Sequence, residues 1–493
     1  MTLRLHNTAS RAKEAFRPIQ EGKVGLYVCG VTVYDLCHIG HARSAIVFDV
    51  LVRYQRALGY DVTYVRNFTD VDDKIINRAN QLGKDPMALA QTYIEAFHED
   101  MERLWVLKAD IEPRATEHIP GMIHMIQTLL DRAQAYVSGE DVFFSVESFK
   151  DYGRLSGRRL EDMQAGSRIA VDEKKRHPMD FVLWKGAKPG EPHWESPWGP
   201  GRPGWHIECS VMSNQYLGPS FDIHGGGKDL LFPHHENERA QSIGANDGSF
   251  ARYWVHNGFV TVEGEKMSKS LGNFLTIRDA LEQFPPQVLR LFLISKHYRS
   301  PIDFSNRLVY GLQSGLVRIY RALQRVEALL GPPAGLDASV QGAFLKDEAV
   351  PENQNPEDPF FSQFVRMMDD DLNTAGALAL IFEQVKALNK LMEVKENRVD
   401  EGIRAQLELK RRQILLAGGV LGLFQETPEA FLNQLTDAES PLDPHDIEKL
   451  IEERSKARAE KDWGRADEIR DTLKARGIIL EDGPQGTVWR RDV

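Results

Sequence analysis

The chain has 493 residues, a net charge of −11, 42% hydrophobic and 27% charged residues. This length exceeds that of one ordinary domain, and the composition is typical of a globular protein that is not built around a membrane span, since no run of about 18 apolar residues occurs. The negative charge argues against a protein that coats nucleic acid. With only three cysteines, we expect a reducing, cytoplasmic environment.

The first strong pattern is a strand, a turn and a helix near the N-terminus. A β-branched and aromatic strand starts at about Val24, and an apolar helix runs from about Ala42 to Leu58. Between them lies His38-Ile39-Gly40-His41. The backbone N–H groups and the dipole of such a helix start can bind phosphate, and histidines there can add hydrogen bonds. A helix start with incidental histidines is the alternative.

The next residues indicate a parallel sheet. A second strand, Asp61–Phe68, is followed by Thr69 and Asp70. Because strands alternate with helices, we expect a parallel sheet whose ligands bind beyond the carboxyl ends of its strands. The predicted fold class is therefore α/β, with a Rossmann-type parallel sheet.

The pattern changes between residues 113 and 203, where short strands and segments rich in Pro, Gly and Trp replace the long helices. We interpret 113–203 as an insertion that splits the predicted parallel sheet into a first half, 1–112, and a second half, 204–264. The sheet is expected to resume near Gly204 and to continue through Phe221–Asp229.

Four residues could hold a metal ion. His234 and Glu238 lie four apart after Pro233, so they would share one face of a helix that Pro233 opens. Cys29 ends the first strand, and Cys209 is expected downstream of a later strand. Zinc prefers thiolate and imidazole ligands and accepts carboxylate. Buried cysteines that only fill space remain the alternative.

The rest of the chain indicates helices and a small terminal unit. A lysine-rich loop, Lys266–Ser270, opens the region 265–320. Residues 321–435 predict a helical bundle with a linker at 331–359, and a three-and-four spacing marks an amphipathic helix: Leu378, Ile381, Val385, Leu388 and Met392. The tail, 440–493, predicts two helices and a short β unit, hence a small α+β domain. There Trp489, beside arginines, suits stacking on a base, or packing within its domain.

Taken together, these motifs resemble class I aminoacyl-tRNA synthetases, and the resemblance to cysteinyl-tRNA synthetases covers nearly the whole chain. It rests on Cys29–Asp35, His38–His41, Gly204–Cys209, His224–Gly227, Phe232–Glu238 and Lys266–Ser270. Val31 stands where many members of the family have proline. The family implies zinc held by Cys29, Cys209, His234 and Glu238, with the thiolate of substrate cysteine joining the metal.

The resemblance also implies roles for other residues. His38, His41, Lys266 and Lys269 would be catalytic, and ATP, with Mg²⁺, would be bound by His38, Gly40, His41, Gly226, Asp229 and Lys269. The cysteine pocket would contain Thr69, Trp205 and His224. The tRNA contacts would include Arg299, Trp489 and Arg490.

The resulting prediction is a monomeric ligase that activates L-cysteine with ATP and transfers it to tRNA(Cys). Two alternatives remain open. The first is a cysteine ligase with an amino-sugar acceptor, which would not need the helical bundle and the basic tail. The second is a non-catalytic, zinc-containing tRNA-binding protein, which would not need His38, His41, Lys266 and Lys269 together.

Overall fold

The structure is a computed structural model that describes residues 2–160, 173–246, 250–262, 264–267, 274–333, 359–393, 400–436, 444–460, 462–475, 478–483 and 486–491. The chain forms two compact units. The first takes in Met1–Asp303, Gly335–Ala387 and Arg412–Gln425, and the second takes in Phe304–Ala334, Leu388–Arg411 and Glu426–Val493.

The first unit is built on a four-stranded parallel sheet with the strand order β10, β9, β3, β4. Its strands are β3 (Lys23–Thr32), β4 (Asp61–Thr69), β9 (Phe221–Gly227) and β10 (Ala251–Asn257). Half of the residues of β3 are buried and only Lys23 is exposed, as expected for a central strand covered on both faces. The predicted parallel sheet is confirmed, and its carboxyl edge is where ligands of such sheets bind.

Helix α1 (Ile39–Ala57) connects β3 to β4, and most of its residues are buried. It begins three residues before the predicted start, because His38 caps it. The other helices with residues in this unit are α2 (Asp73–Leu82), α3 (Pro86–Arg103), α4 (Ile119–Asp131), α5 (Trp205–Leu217), α6 (Glu236–Ala245), α7 (Ile277–Gln283), α8 (Pro286–Ile294), α10 (Phe360–Asp369), α11 (Thr374–Met392) and α12 (Glu401–Val420).

The region predicted as an insertion contains an antiparallel sheet. Its strands follow one another in space as they do in sequence: β5 (Ala135–Ser138), β6 (Asp141–Phe144), β7 (Phe181–Gly186) and β8 (Gly201–Pro203). Phe144, Phe181 and Trp184 share one hydrophobic core with Ile207 and Met212 of α5. The antiparallel sheet is therefore packed directly against the helix that follows it.

The prediction that the parallel sheet resumes near Gly204 is wrong. Residues 205–217 form helix α5, and the next strand of the sheet is β9. Gly204 permits this turn into a helix, because a side chain there would clash with the carbonyl group of Val182 on β7. Cys209 consequently lies on a helix rather than downstream of a strand.

Short strands complete the first unit. They are β1 (Arg4–Asn7) paired with β2 (Ala12–Ala15), and β11 (Val260–Val262) paired with β12 (Glu265–Lys266), with β13 (Ile302–Phe304) at the boundary of the units. All five periodic residues of α11 are buried, which confirms that prediction: Leu378, Ile381, Val385, Leu388 and Met392.

The second unit is largely helical. In it, α9 (Asn306–Leu330) packs on α13 (Pro428–Thr436), where Tyr320 stacks on Phe431 with ring centroids 4.1 Å apart. The tail contains α14 (Pro444–Ala459), α15 (Trp463–Ala475) and the antiparallel pair β14 (Ile478–Gly483) and β15 (Gly486–Arg491), as predicted. None of the helices described is long and apolar enough to cross a membrane.

Candidate active site and metal centre

Four potential metal ligands meet at the carboxyl edge of the parallel sheet. Cys29 lies on β3, Cys209 on α5, His234 in the turn before α6 and Glu238 on α6, and their ligand atoms all lie within 4.8 Å of one another. The two sulfur atoms are 3.7 Å apart, Cys29 Sγ is 3.3 Å from Glu238 Oε1, and His234 Nε2 is 3.0 Å from the same oxygen. The sequence-predicted ligand set is thus brought together.

The donor set fits zinc. Two thiolates at the usual Zn–S distance of about 2.3 Å from a tetrahedral ion would lie about 3.8 Å apart, close to the 3.7 Å separation of Cys29 and Cys209. Soft sulfur ligands with one imidazole select zinc over magnesium or calcium. All four side chains are almost completely shielded from solvent.

The helix that carries Glu238 begins later than the sequence predicts. Pro233 does not open the helix: residues 231–235 form a wide, irregular turn, and the regular helix α6 begins at Glu236. His234 still reaches Glu238, because the turn and the helix are continuous along the chain.

A second group, which shares Cys29 and Glu238, also includes His224 and His235. Of the two groups, the one that contains Cys209 as well as Cys29 offers two thiolates, which suit a soft metal ion. His224 then has a different role: its Nε2 lies 2.8 Å from Glu238 Oε2, the carboxylate oxygen that does not face His234. Hydrogen bonds of this kind orient metal ligands.

The protonation of the ligands is set by their close packing. Burial opposes ionisation of Glu238, but His224 and His234 hold its pKa well below the usual range. Burial likewise opposes ionisation of Cys209, yet hydrogen bonds from Cys29 and His234 lower its pKa to about 6. Burial and Cys209 raise the pKa of Cys29 well above its usual value. The group therefore carries negative charge that a divalent cation would balance.

His38 and His41 form the start of α1. His38 Nδ1 accepts a hydrogen bond from the Gly40 N–H, and His41 Nδ1 accepts one from the His38 N–H, at 3.0 and 3.2 Å. Because both Nδ1 atoms are acceptors, each neutral ring carries its hydrogen on Nε2. Burial and the neighbouring His38 hold the pKa of His41 well below its usual value, so His41 is neutral at pH 7.

Gly40 allows this arrangement. A β-carbon at residue 40 would lie 2.8 Å from Cε1 of His38, and 3.4 Å from the terminal methyl group of Met267. The second distance places the lysine-rich loop next to the histidine motif.

The segment that follows the lysine-rich loop is attached near the start of α1. After the loop, Leu275 O accepts from the Ile39 N–H at 3.1 Å, and the Ile277 N–H donates to Cys37 O at 2.9 Å. The ring of Phe274 packs edge-on against His38. Lys266 belongs to β12, whereas Lys269 falls outside the described residues. The fold therefore brings the lysine-rich loop close to the His38–His41 motif, although the two are far apart in the sequence.

The three residues assigned to the cysteine pocket take different positions. Trp205 stacks on His234, with ring centroids 4.1 Å apart, and so lies directly against a candidate metal ligand. Thr69 is buried and donates a hydrogen bond of 2.6 Å to Glu208. His224 is fully buried behind Glu238.

Of the remaining ATP-binding candidates, Gly226 lies near the end of β9 and Asp229 is exposed just beyond it. A side chain at residue 226 would meet the His235 ring at 2.9 Å. Both residues are therefore at the carboxyl edge of the sheet, where parallel sheets of this kind bind their ligands.

The structure distinguishes among the predicted tRNA contacts. Arg299 is half-exposed and forms an ion pair with Asp371 at 2.7 Å. Trp489 packs against the small core of the tail, which favours the packing alternative, and nothing is described for the Arg490 side chain. Trp463, which the sequence analysis did not single out, is 59% exposed at the start of α15.

Two further residues next to the group were given no role by the sequence analysis, although His206 lies within the Gly204–Cys209 motif. His206 Nδ1 lies 2.8 Å from His234 Nδ1. Asn67 Oδ1 accepts from the Gly30 N–H at 2.9 Å and is 3.7 Å from Cys209 Sγ. A single asparagine in a strand carries no pattern, so only the fold reveals its contacts with Gly30 and Cys209.

Comparisons with known families agree with this architecture. The tRNA synthetases class I (C) catalytic domain matches residues 15–313, the DALR domain matches 363–425, and the cysteinyl-tRNA ligase anticodon binding domain matches 441–490. Among solved structures, a methionyl-tRNA synthetase of Mycobacterium tuberculosis bound by methionyl-adenylate has a TM-score of 0.60 at 17% identity, covering 86% of this chain and 95% of that one. That likeness shows the fold.

Similar sequences extend over the full length. The cysteine–tRNA ligase of Pelobacter propionicus is 54% identical over 492 residues, which is 99% of both chains. The cysteine–tRNA ligase of Geobacter sulfurreducens is also 54% identical, over 99% of this chain and 100% of its own. With the catalytic-domain match and the four clustered ligands, these similarities show that the chain belongs to the cysteinyl-tRNA synthetase family.

Proposed function

We propose that this protein activates L-cysteine with ATP to form cysteinyl-adenylate and transfers the cysteinyl group to tRNA(Cys). The observation that carries this proposal is the placement of a two-cysteine metal centre and the His38–His41 helix start at the same edge of one parallel sheet. A thiol-selecting group and a phosphate-binding group are both needed where an adenylate of cysteine forms.

The metal we propose is zinc, held by Cys29, Cys209, His234 and Glu238. When bound, zinc supplies a soft Lewis acid that binds a thiolate far better than an alcohol, so cysteine is selected over serine without editing. His224 holds the Glu238 carboxylate in position. Trp205, stacked on His234, forms a wall of the proposed cysteine pocket with Thr69.

The ATP phosphates, with Mg²⁺, are proposed to bind at the start of α1. The Nε2–H groups of His38 and His41 would donate to phosphate oxygens, aided by the positive end of the helix. As the cysteine carboxylate attacks the α-phosphorus, charge develops on the phosphate oxygens and on the departing pyrophosphate. Lys266 and Lys269 would stabilise that charge. Gly226 and Asp229 complete the proposed nucleotide site.

Transfer to tRNA would use the helical region and the tail. We propose that the chain is divided into a catalytic domain in two halves and four further regions. The halves are 1–112 and 204–264, and the other regions are the insertion 113–203, the lysine-loop and stem-contact region 265–320, the helical bundle 321–435 and an anticodon-recognition domain at 440–493. The anticodon-domain match to residues 441–490 supports this division, and it disfavours an amino-sugar acceptor, which needs no such domain. We further propose a cytoplasmic monomer, with the molar mass in solution as the test.

The adenylate step is tested by cysteine-dependent exchange of labelled pyrophosphate into ATP, with serine as the competing substrate. We expect exchange with cysteine alone. In Cys209→Ser, exchange and bound zinc should be lost together. Cys37→Ser is the matched control, because Cys37 is also buried but lies outside the ligand group.

Absence of exchange in folded, zinc-loaded wild-type protein would favour the non-catalytic alternative. Exchange without charging of tRNA(Cys), but with consumption of cysteine in the presence of an amino sugar, would favour the other ligase.

A further inference from the structure

Three consecutive aspartates at the end of α10 are each bonded to a different part of the first unit. Asp369 accepts a hydrogen bond of 2.7 Å from Tyr54 of α1, and Asp370 forms an ion pair of 2.6 Å with Lys13 of β2. The third, Asp371, faces the segment that carries Arg299.

Asp371 is completely buried and uses both carboxylate oxygens. Oδ1 accepts from the backbone N–H of His6 and from the hydroxyl group of Tyr298, both at 2.8 Å. Oδ2 accepts from Nε of Arg299 at 2.7 Å. A buried carboxylate with this many donors has one preferred orientation, and it fixes the orientation of its partners.

The backbone at this point is unusual. Asp371 and Leu372 have φ angles of +64° and +53°, in the left-handed region that residues other than glycine rarely adopt. The conformation is held in place, since the Asp371 N–H donates to Arg4 O at 2.9 Å and the Thr374 hydroxyl donates to Ile294 O at 2.7 Å. Conformations of this kind persist where the surroundings enforce them, and they concentrate at functional sites.

The segment that carries Arg299 is also held from α1. The buried guanidinium of Arg43 donates to the carbonyl oxygens of His297 and Tyr298 at 3.3 and 3.2 Å, and to that of Ser300. Because His38 caps α1, the position of this segment is tied to the proposed phosphate site.

Arg299 is bound to Asp371 through Nε only. Its side chain is 37% exposed, and the hydrogen bond to Asp371 uses the Nε edge of the guanidinium. A guanidinium fixed by its Nε edge can offer its two terminal amino groups as a fork to a phosphate. Because the side chain is already ordered, binding costs less conformational entropy.

We propose that Asp371 is a positioning residue that holds the Arg299 guanidinium ready to bind a phosphate of the tRNA backbone. The inference rests on the proposed function and adds to it the residue that prepares one contact with the RNA. The neighbouring Asp369 and Asp370 anchor the same turn but do not touch Arg299.

The variant Asp371→Asn tests the inference selectively. The asparagine oxygen can still accept from His6 and Tyr298, but its amide NH₂ then faces Nε of Arg299, and two donors cannot bond. We expect the KM for tRNA to rise about five- to tenfold, whereas cysteine-dependent pyrophosphate exchange, which needs no tRNA, stays within about twofold of wild type. Asp370→Asn is the matched control and should change neither.

A double-mutant cycle separates positioning from general structural damage. In an Arg299→Gln background, Asp371→Asn should have no further effect on the KM for tRNA, because its effect passes through Arg299. The inference is overturned if the two effects multiply, if exchange falls in parallel with charging, or if Asp371→Asn leaves the KM unchanged. Failure of wild-type protein to charge tRNA(Cys) at all would instead refute the proposed function.

Discussion

The imidazole rings of His38 and His41 are stacked, with centroids 3.7 Å apart and an angle of 20° between their planes. Each ring is fixed by a backbone N–H at the first turn of α1. The pair therefore presents two ordered N–H donors, and its geometry depends on the absence of a side chain at Gly40.

Replacing Gly40 should disrupt this pair. In Gly40→Ala the new β-carbon would displace the His38 ring, and we expect pyrophosphate exchange to fall by about 10²-fold, the size of effect seen when a fixed donor is removed from a developing oxyanion. Bound zinc should be unchanged. Gly311→Ala is the control, because no atom lies within 4 Å of a β-carbon there, and it should keep wild-type exchange. A loss of zinc in Gly40→Ala would instead indicate general unfolding.

The hydrogen bond between His224 and Glu238 should be visible in metal affinity. In His224→Ala the carboxylate loses the partner that orients it, so we expect zinc affinity to fall about 10- to 100-fold, measured by competition with a chelator. His193→Ala, a substitution at an exposed histidine, should leave zinc affinity unchanged. Equal affinity in both variants would show that His224 does not support the metal ligand.

The buried ion pair between Asp49 and Arg290 should contribute more to the free energy of unfolding than an exposed ion pair does. Both side chains are fully buried, and Asp49 also bonds to Arg53 and to the Leu107 N–H. Asp49→Asn leaves the Arg290 charge without its partner, so we expect a loss of about 3–5 kcal/mol in the free energy of unfolding. Asp110→Asn, which breaks the half-exposed pair with Arg56, should cost about 1 kcal/mol or less.

The lowered pKa of Asp49 predicts that the free energy of unfolding depends on pH. Burial opposes its ionisation, but Arg53 and Arg290 hold its pKa below the usual value. The unfolded chain therefore binds the proton more readily, and the free energy of unfolding should decrease as the pH falls below about 4. Chemical denaturation at several pH values should show a smaller decrease in Asp49→Asn. An identical acid dependence in the two proteins would contradict the assignment.

The two tryptophans of the tail should behave differently. Trp463→Ala removes an exposed ring, so we expect weaker tRNA binding, by about 1–3 kcal/mol if one base stacks there, with unchanged thermal stability. Trp489→Ala removes a ring that packs on the small core, so we expect a lower melting temperature. Titration of full-length protein with tRNA, together with thermal unfolding, distinguishes the two. The opposite pattern would restore Trp489 as the stacking residue.

The sequence was most informative where chemistry requires a particular residue type. The four candidate metal ligands and the histidine motif could be named before the fold was known because their motifs resemble those of a known family, whereas spacing alone left space-filling cysteines as an alternative. Secondary structure was less certain: Trp205–Leu217 is a helix whose polar and apolar residues show little periodicity, so the pattern did not distinguish it from a strand.

Other features depend on tertiary contacts alone. Nothing local to Asp371 indicates that it meets Arg299, 72 residues away. Likewise, Trp489 looked like the stacking residue because arginines flank it, whereas exposure in the folded tail belongs to Trp463. Burial is a property of the whole domain, and a sequence pattern predicts it only when the residue lies on a strongly periodic element.

The metal centre also has a consequence for synthesis of the chain. Cys29 and Cys209 are 180 residues apart and meet only when β3 and α5 are both in place. A nascent chain cannot offer the complete ligand group until Glu238 has left the ribosome, after the whole inserted sheet. In the proposed zinc protein, metal binding therefore follows synthesis of Glu238 and joins residues that are far apart in the chain.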